Sequence, residues 1–266
     1  MEDLRKDEDK LVSEIMQKVN LSKDREVLEK HVVNLSKSVV NLSKTANINL
    51  GNKKARVIVV LDYSGSMRKM YNDGTVQQTI NKLVPLGLKF DDNGTIDTYV
   101  FRDDFIKLRD LNLGNYENYV MEEIQKKVDR FGRTVYSPVL CDINKNICSK
   151  SFLKTILDLF ARLFSKQKED CDTTFVLFIT DGGNETGDNK KCDEAIKMLS
   201  YNKCFVQFIG IGSDKFRYFE RLPKIKDRKS NNTGSTIIND LNNIGDTELY
   251  NIILAEFARW LKEMED

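Results

Sequence analysis

Hydrophobic residues along the chain repeat with two different periods, and the change falls near residue 50. Before that point, apolar positions recur at a 4-3-4-3 spacing, which places them in one line along a helix. After it, short apolar runs alternate with amphipathic segments. The pattern predicts an N-terminal helical extension over residues 1–50 and a separate domain over residues 51–266. The line of apolar positions, called the N-terminal seam below, consists of Leu28, Val32, Leu35, Val39 and Leu42.

The N-terminal extension admits two secondary structures. Residues 5–18 and 24–43 have helical spacing, but the segment VNLSK occurs at 19–23, 33–37 and 40–44, and its V-x-L units also alternate as in a strand. We favour two helices. Such a pair is either a solvated arm or a docking surface for another protein or for a second copy, which would allow self-association.

From residue 55 onward, strand patterns alternate with helical ones. The run ARVIVVL is continuous and rich in β-branched residues, as in a central parallel strand that is buried on both faces. Predicted strands cover 55–61, 96–101, 105–111, 173–180, 204–211 and 233–240, and predicted helices cover 76–88, 116–128, 137–166, 189–201, 215–222 and 248–263.

This order of elements predicts the fold class. Strands separated by helices imply right-handed crossovers and helices on both faces of the sheet. The strands on either side of Arg102-Asp103-Asp104 have no helix between them and predict a hairpin. We therefore expect an α/β fold: a three-layer, doubly wound, mostly parallel, Rossmann-like sheet with one antiparallel edge strand and the N-terminal helical extension.

Oxygen-bearing side chains follow the two most apolar strands. In such sheets, ligands bind beyond the carboxyl ends of the strands. The strand that ends at Leu61 continues into DYSGS, the strand that ends at Thr180 continues into DGG, and GRT lies between them in the chain. If the two strands are neighbours, three loops bring one set of side chains to the same edge: Asp62, Ser64, Ser66, Thr134 and Asp181.

The chemistry of this set favours a hard divalent cation. All five groups are oxygen donors, and oxygen-only coordination suits Mg²⁺, Mn²⁺ or Ca²⁺ rather than Zn²⁺ or Cu²⁺. Only Asp62 and Asp181 carry formal charge, so they neutralise a divalent cation without overcompensating it. Such a cation retains affinity for one more anionic ligand, for example a carboxylate of a partner protein. We expect Mg²⁺ first, with Mn²⁺ and Ca²⁺ as alternatives.

The segment DYSGSM at 62–67 resembles the DxSxS motif of the metal-ion-dependent adhesion site (MIDAS) in von Willebrand factor A (vWA) domains. Thr134 and Asp181 occur in that family's order and strand contexts, and the resemblance covers about residues 55–262. It implies that Ser64, Ser66 and Thr134 bind the metal through their hydroxyls. It also implies that the two aspartates act directly or through water.

A narrower resemblance also implies a cellular role. LDYSGSMRKMYNDGTVQ, LVPLGLKFDDNGTIDTYVF and GRTVYSPVL are similar to the vWA proteins of the bacterial tellurium-resistance (TerF-like) group. The resemblance implies an intracellular protein of a tellurite, phage or stress resistance system.

The composition of the chain limits which classes of partner and which cellular compartment we expect. With 42 basic and 41 acidic residues, the net charge of +1 offers no general attraction for nucleic acid or for an anionic membrane. No apolar run approaches the roughly 20 residues that span a bilayer, and the charged N-terminus does not resemble a secretory signal. The five cysteines are odd in number and lack CxxC spacing, so we expect buried free thiols in a reducing cytoplasm.

Two other functions remain open. The first is a Mg²⁺-dependent phosphotransfer or hydrolytic enzyme, since haloacid-dehalogenase-type phosphatases also place a carboxylate after the first strand. Their DxD pattern would require an aspartate where this chain has Ser64, and no GxxxxGK[ST] or GxSxG motif is present. The second is a metal-free remnant that assembles through the N-terminal extension. We expect a binding module that is not an enzyme.

Residues around the five have simpler expected roles. His31 is the single histidine of the sequence and lies in the N-terminal extension, which argues against histidine acid–base chemistry at the site. Asp103 and Asp104 are expected to be solvated turn charges. Arg133 and Tyr136 flank Thr134, and we leave open whether they select a ligand or only pack.

Overall fold

Six strands form one sheet in the computed structural model, which describes residues 2–19, 25–147 and 173–265. The strand order is β3-β2-β1-β4-β5-β6, and every neighbouring pair is parallel except β2 and β3. The two most apolar strands, β1 and β4, are central neighbours, and the antiparallel strand lies at an edge, so the predicted fold class is confirmed. The strands are β1 Arg56–Asp62, β2 Ile96–Phe101, β3 Phe105–Lys107, β4 Thr174–Thr180, β5 Cys204–Ile211 and β6 Thr233–Ile238.

Helices cover both faces of this sheet. Along β1, Val57 and Val59 join one apolar cluster while Ile58 and Val60 join the other, because successive side chains of a strand point to opposite faces. The first cluster contains residues of α1, α2, α4 and α7, and the second contains residues of α5 and α6. The helices are α1 Glu2–Lys18, α2 Arg25–Thr45, α3 Arg68–Asn72, α4 Thr75–Phe90, α5 (described over 137–147), α6 Asn189–Tyr201 and α7 Asp246–Glu265.

The N-terminal helices α1 and α2 pack on the domain. Leu28, Val32, Leu35 and Val39 of the N-terminal seam are fully buried in the cluster that contains α7, and Leu42 is partly buried against it. The seam is therefore filled by this chain itself, and its apolar side is not free to bind a second copy. The division of the chain at residue 50 stays a prediction.

A polar contact reinforces the packing of α2 on α7. The Nδ1 atom of His31 lies 2.7 Å from Oδ2 of Asp246, and Asn34 donates to the same oxygen at 3.3 Å. Lys82 of α4 lies 3.4 Å from the other oxygen. Asp246 is the first residue of α7, where a negative charge is favourable to the helix. The single histidine thus contributes to helix packing, away from the proposed metal ligands.

Some predicted elements differ from the structure. β3 ends at Lys107, and the carbonyl of Arg109 accepts a hydrogen bond from the Tyr119 hydroxyl. The predicted helix over 116–128 is a 3₁₀ turn followed by a π-helix, Val120–Gln125, which closes with a bond from the Lys126 N–H to the Met121 carbonyl at 3.2 Å.

The predicted helix over 215–222 is replaced by a later 3₁₀ helix, Phe219–Lys224. Its buried residues Phe219 and Leu222 lie three positions apart, which is the 3₁₀ period rather than the α period. The part of the predicted helix beyond residue 147 lies outside the described residues. Among the described helices, none combines the length and apolarity that crossing a membrane requires.

Candidate metal centre

Three loops meet at the carboxyl edge of β1 and β4. The loop after β1 pairs with the loop that carries Thr134, because the Gly65 N–H donates to the Gly132 carbonyl and the Gly132 N–H donates to the Tyr63 carbonyl, both at 3.1 Å. The pairing of β1 with β4 brings Asp181 to the same place. The neighbour relation assumed in the sequence analysis is therefore confirmed.

Asp62 is the most buried group of the site. It has no exposed surface, and its two carboxylate oxygens accept separate hydrogen bonds. The backbone N–H of Ser64 donates to Oδ1 at 2.7 Å, and the Thr180 hydroxyl donates to Oδ2 at 2.6 Å. The Tyr71 hydroxyl donates to the Asp62 backbone carbonyl at 2.9 Å. These contacts fix both the carboxylate and its backbone.

A chain of hydroxyl contacts leads from this buried carboxylate to the surface. Ser64 Oγ lies 3.1 Å from Ser66 Oγ, and the Ser66 hydroxyl donates to Asp181 Oδ1 at 2.7 Å. Ser64 is buried, Asp181 is half-buried and Ser66 is exposed. Four of the five predicted residues therefore form one connected group that opens to solvent.

Thr134 lies beside this group, close to the backbone of Gly182. A Cβ on Gly182 would lie 3.5 Å from Thr134 Oγ1, an ordinary van der Waals distance, so the Thr134 hydroxyl lies close to the Gly182 backbone. The Glu185 N–H donates to the Thr134 carbonyl at 3.0 Å, and the Tyr136 hydroxyl donates to the Gly182 carbonyl at 2.6 Å. Tyr136 is fully buried, so it positions these loops and is not available to select a ligand.

Two negatively charged carboxylates without a nearby positive charge are electrostatically unfavourable at this site. Burial raises the pKa of Asp62 to about 7, hydrogen bonds from Thr180 and Ser64 oppose this rise, and the charge of Asp181 adds to it. Burial also raises the pKa of Asp181, against the hydrogen bond from Ser66. The groups that act on Asp62 are hydroxyls, a backbone N–H and another carboxylate, so none of them supplies compensating positive charge.

The donor set fits the divalent cation that the vWA resemblance implies. Within the described residues, no three His, Cys, Asp or Glu side chains form a group suited to a metal, so a site here requires its hydroxyl donors. Two carboxylates and the Ser64, Ser66 and Thr134 hydroxyls would supply hard oxygen ligands. Metal binding by these five residues stays a prediction.

Sequence reasoning missed the residues that hold the Thr134 loop. Arg102 is buried, donates to the Arg130 carbonyl at 2.6 Å, and accepts at its own carbonyl from the Val135 N–H at 3.3 Å. Asp103, expected to be a solvated turn charge, instead accepts from the Arg133 N–H at 2.8 Å. The one available indication was their position directly after β2, at the same sheet edge.

Asp104 and one of the described cysteines also differ from expectation. Asp104 accepts from Arg102 Nε at 2.6 Å, so it is not simply a solvated turn charge. Cys192 and Cys204 are buried free thiols as expected, whereas Cys141 is exposed. The other two cysteines lie outside the described residues.

Comparisons with known proteins agree with this geometry. Residues 54–266 match the family described as vWA-TerF-like, the vWA found in the TerF C terminus. The protein YcbR of Bacillus subtilis (strain 168), which is described as uncharacterized, is 32% identical over 214 residues, covering 80% of this chain and 79% of that protein.

Two similar solved structures are longer than this chain. Proximal thread matrix protein 1 from the mussel byssus, solved with a zinc-occupied MIDAS motif, is 16% identical with a TM-score of 0.47, covering 84% of this chain and 52% of its own. The pilus adhesin SpaC from Lactobacillus rhamnosus GG is 12% identical with a TM-score of 0.46, covering 78% and 30%. The family match and the Bacillus relative establish that this chain belongs to the von Willebrand factor A family, in the group found at the C terminus of TerF.

Proposed function

We propose that the chain is a metal-dependent protein-interaction module. In this proposal, a divalent cation is held by five residues and binds a carboxylate of a partner protein. The observation that carries the proposal is the connected set of contacts from buried Asp62 through Ser64 and Ser66 to Asp181. The five proposed ligands are Asp62, Ser64, Ser66, Thr134 and Asp181.

The exposure of the set supports binding of a partner. Asp62 is buried at the base, whereas Ser66 is exposed and Thr134 and Asp181 are half-buried. A cation held by two carboxylates is electrically balanced and still attracts a further anion. Mg²⁺ is the proposed ion because it binds hard oxygen donors and retains water, which a partner carboxylate can replace, with Mn²⁺ and Ca²⁺ as alternatives.

We propose that the chain is not an enzyme. The position two residues after Asp62 is a serine, and both Asp62 oxygens accept hydrogen bonds from the protein. His31 is engaged with Asp246 between two helices and is not positioned as a general base at the site. The competing proposal, Mg²⁺-dependent phosphotransfer or hydrolysis, predicts labelling of Asp62 by a phosphate donor.

The proposed setting is the cytoplasm of a bacterial cell, in a tellurite, phage or stress resistance system. The support is membership of the TerF-associated group. We do not expect direct tellurite chemistry at the described buried thiols, because burial raises the pKa of both Cys192 and Cys204 and keeps them as thiols. Modification of either thiol by tellurite would contradict this part of the proposal.

Calorimetric titration of Mg²⁺, Mn²⁺ and Ca²⁺ tests the metal site. We expect saturable one-to-one binding to the wild type and its loss in Asp181→Asn and Ser66→Ala. Both substitutions remove donors near the surface without leaving a cavity in the core. Glu194→Gln, on the exposed side of α6, is the matched control. Folded wild-type protein that binds none of the three ions would refute the proposal.

A further inference from the structure

A third carboxylate lies beside the proposed metal centre, on a loop that carries none of the five proposed ligands. Asp214 lies in the loop after β5, two residues beyond Gly212, which adopts a positive φ of 88° that favours glycine. The Gly183 N–H donates to Asp214 Oδ2 at 3.1 Å. This bond ties the loop after β5 to the loop after β4, which carries Asp181.

The distances from Gly182 show where Asp214 lies relative to Thr134. A Cβ on Gly182 would lie 3.5 Å from Thr134 Oγ1 and 3.9 Å from Asp214 Oδ2. The hydroxyl and the carboxylate therefore lie close to the same point beside Gly182, the residue that follows Asp181. After burial, the charge of Asp214 also contributes to the raised pKa of Asp181, as expected for a carboxylate near the site.

Asp214 is exposed and, among the described residues, forms no ion pair within 4.0 Å. Within the described ranges, no basic side chain is therefore paired with its negative charge. Two carboxylates already balance a divalent cation, so a third one nearby makes the assembly net negative. Such a charge attracts the cation and repels an incoming carboxylate through the same electrostatic interaction.

We propose that Asp214 is a specificity-determining residue of the metal-dependent interaction site. Its charge strengthens binding of the divalent cation and weakens binding of a lone carboxylate to that cation. This inference rests on the proposed function. It implies that a natural partner offers a basic group close to its acidic one, because a basic group near Asp214 offsets the repulsion.

A purely structural role for Asp214 makes a different prediction. The hydrogen bond from Gly183 requires only an acceptor oxygen, which Asn also has, whereas the electrostatic role requires the charge. Asp214→Asn therefore separates the two roles. Glu194→Gln removes one exposed carboxylate from α6 and controls for the change in total charge.

The experiment measures Mn²⁺ binding by the electron paramagnetic resonance signal of the free ion, in 10–20 mM buffer and again with added salt. For Asp214→Asn we expect Mn²⁺ affinity to be weaker by on the order of threefold to tenfold at low ionic strength, with the gap closing in salt. Acetate added to the Mn²⁺-loaded proteins, followed by water-proton relaxation, should bind the variant more tightly than the wild type. Glu194→Gln should match the wild type in both measurements.

Two results would overturn the inference alone. In the first, the wild type binds Mn²⁺, and Asp214→Asn binds both Mn²⁺ and acetate with the same affinities as the wild type. The other is a variant whose weaker binding is insensitive to salt and accompanies a lower melting temperature, which indicates a structural role. Wild-type protein that does not bind Mn²⁺, Mg²⁺ or Ca²⁺ would instead overturn the proposed function, and this inference with it.

Discussion

The Thr180 hydroxyl donates a hydrogen bond of 2.6 Å to the Asp62 carboxylate and thereby joins the ends of the two central strands. The same hydroxyl lies 3.0 Å from the Gly182 carbonyl and accepts from the Gly182 N–H at 3.2 Å. One side chain thus orients a proposed metal ligand and shapes the glycine loop beside it.

Replacement of Thr180 by valine keeps the side-chain volume and removes the hydroxyl. Because Asp62 is fully buried, we expect the free energy of unfolding to fall by about 1–3 kcal/mol and metal affinity to weaken. Urea unfolding and metal titration check the two effects. Thr180→Ser retains the hydroxyl and is the control; equal losses in both variants would exclude the hydrogen bond as the cause.

Metal affinity should depend on pH through Asp62. Burial raises the pKa of this carboxyl to about 7, so protons compete with a cation below that pH. We expect the apparent affinity for Mg²⁺ to fall as the pH is lowered from 8 to 6. Titrations at both values in one ionic strength check this, and an affinity independent of pH would contradict it.

The same raised pKa predicts the pH dependence of stability without added cation. A carboxyl whose pKa is higher in the folded chain binds more protons when folded, so its contribution to stability falls as the pH rises from about 4 to 7. Saturating Mg²⁺ should reduce this loss, because it binds the charged form. Urea unfolding at several pH values, with and without Mg²⁺, measures both trends, and Asp62→Asn should remove this contribution.

Arg102 should affect metal binding although it is not one of the proposed ligands. It donates to Asp104, Asp129 and the Arg130 carbonyl, and Lys cannot reproduce this planar set of bonds. For Arg102→Lys we expect a loss of about 1–3 kcal/mol in the free energy of unfolding and weaker metal binding. Asp129→Asn, at a highly exposed position, should change stability by less than about 1 kcal/mol.

The N-terminal seam should contribute to the stability of the whole domain. Leu35 is fully buried against the layer that contains α7, so Leu35→Ala should cost about 2–5 kcal/mol in one cooperative unfolding transition. Val27→Ala, on the exposed side of α2, is the control and should change little. Loss of α2 structure alone, with an unchanged main transition, would show that the extension is a separate unit.

The pattern of apolar residues was sufficient to predict the sheet because strands buried on both faces have continuous apolar runs. The runs that end at Leu61 and Thr180 are β1 and β4, and the prediction that they are neighbours is confirmed. The local motif also located Asp62, Ser64 and Ser66 together, since they lie within five residues. Thr134 and Asp181 lie far away in the chain, so placing them with the motif required the predicted pairing of the two strands, and the vWA resemblance then implied their roles.

Contacts between loops could not be predicted from the chain alone. The roles of Arg102, Tyr136 and Asp214 depend on which carbonyl or N–H the fold brings near them, and no local period encodes that. The seam of α2 shows the same limit. Its period predicts an apolar face but does not say whether α7 of this chain or another molecule covers it.

The contact between α2 and α7 joins residues that are far apart in sequence: His31 and Asp246 are separated by 215 positions. During synthesis, α2 therefore leaves the ribosome long before its packing partner exists. Its apolar face stays exposed to water, or is bound by a chaperone, until the last helix has been synthesised. Premature termination before α7 should thus yield an aggregation-prone chain even though all six described strands are complete.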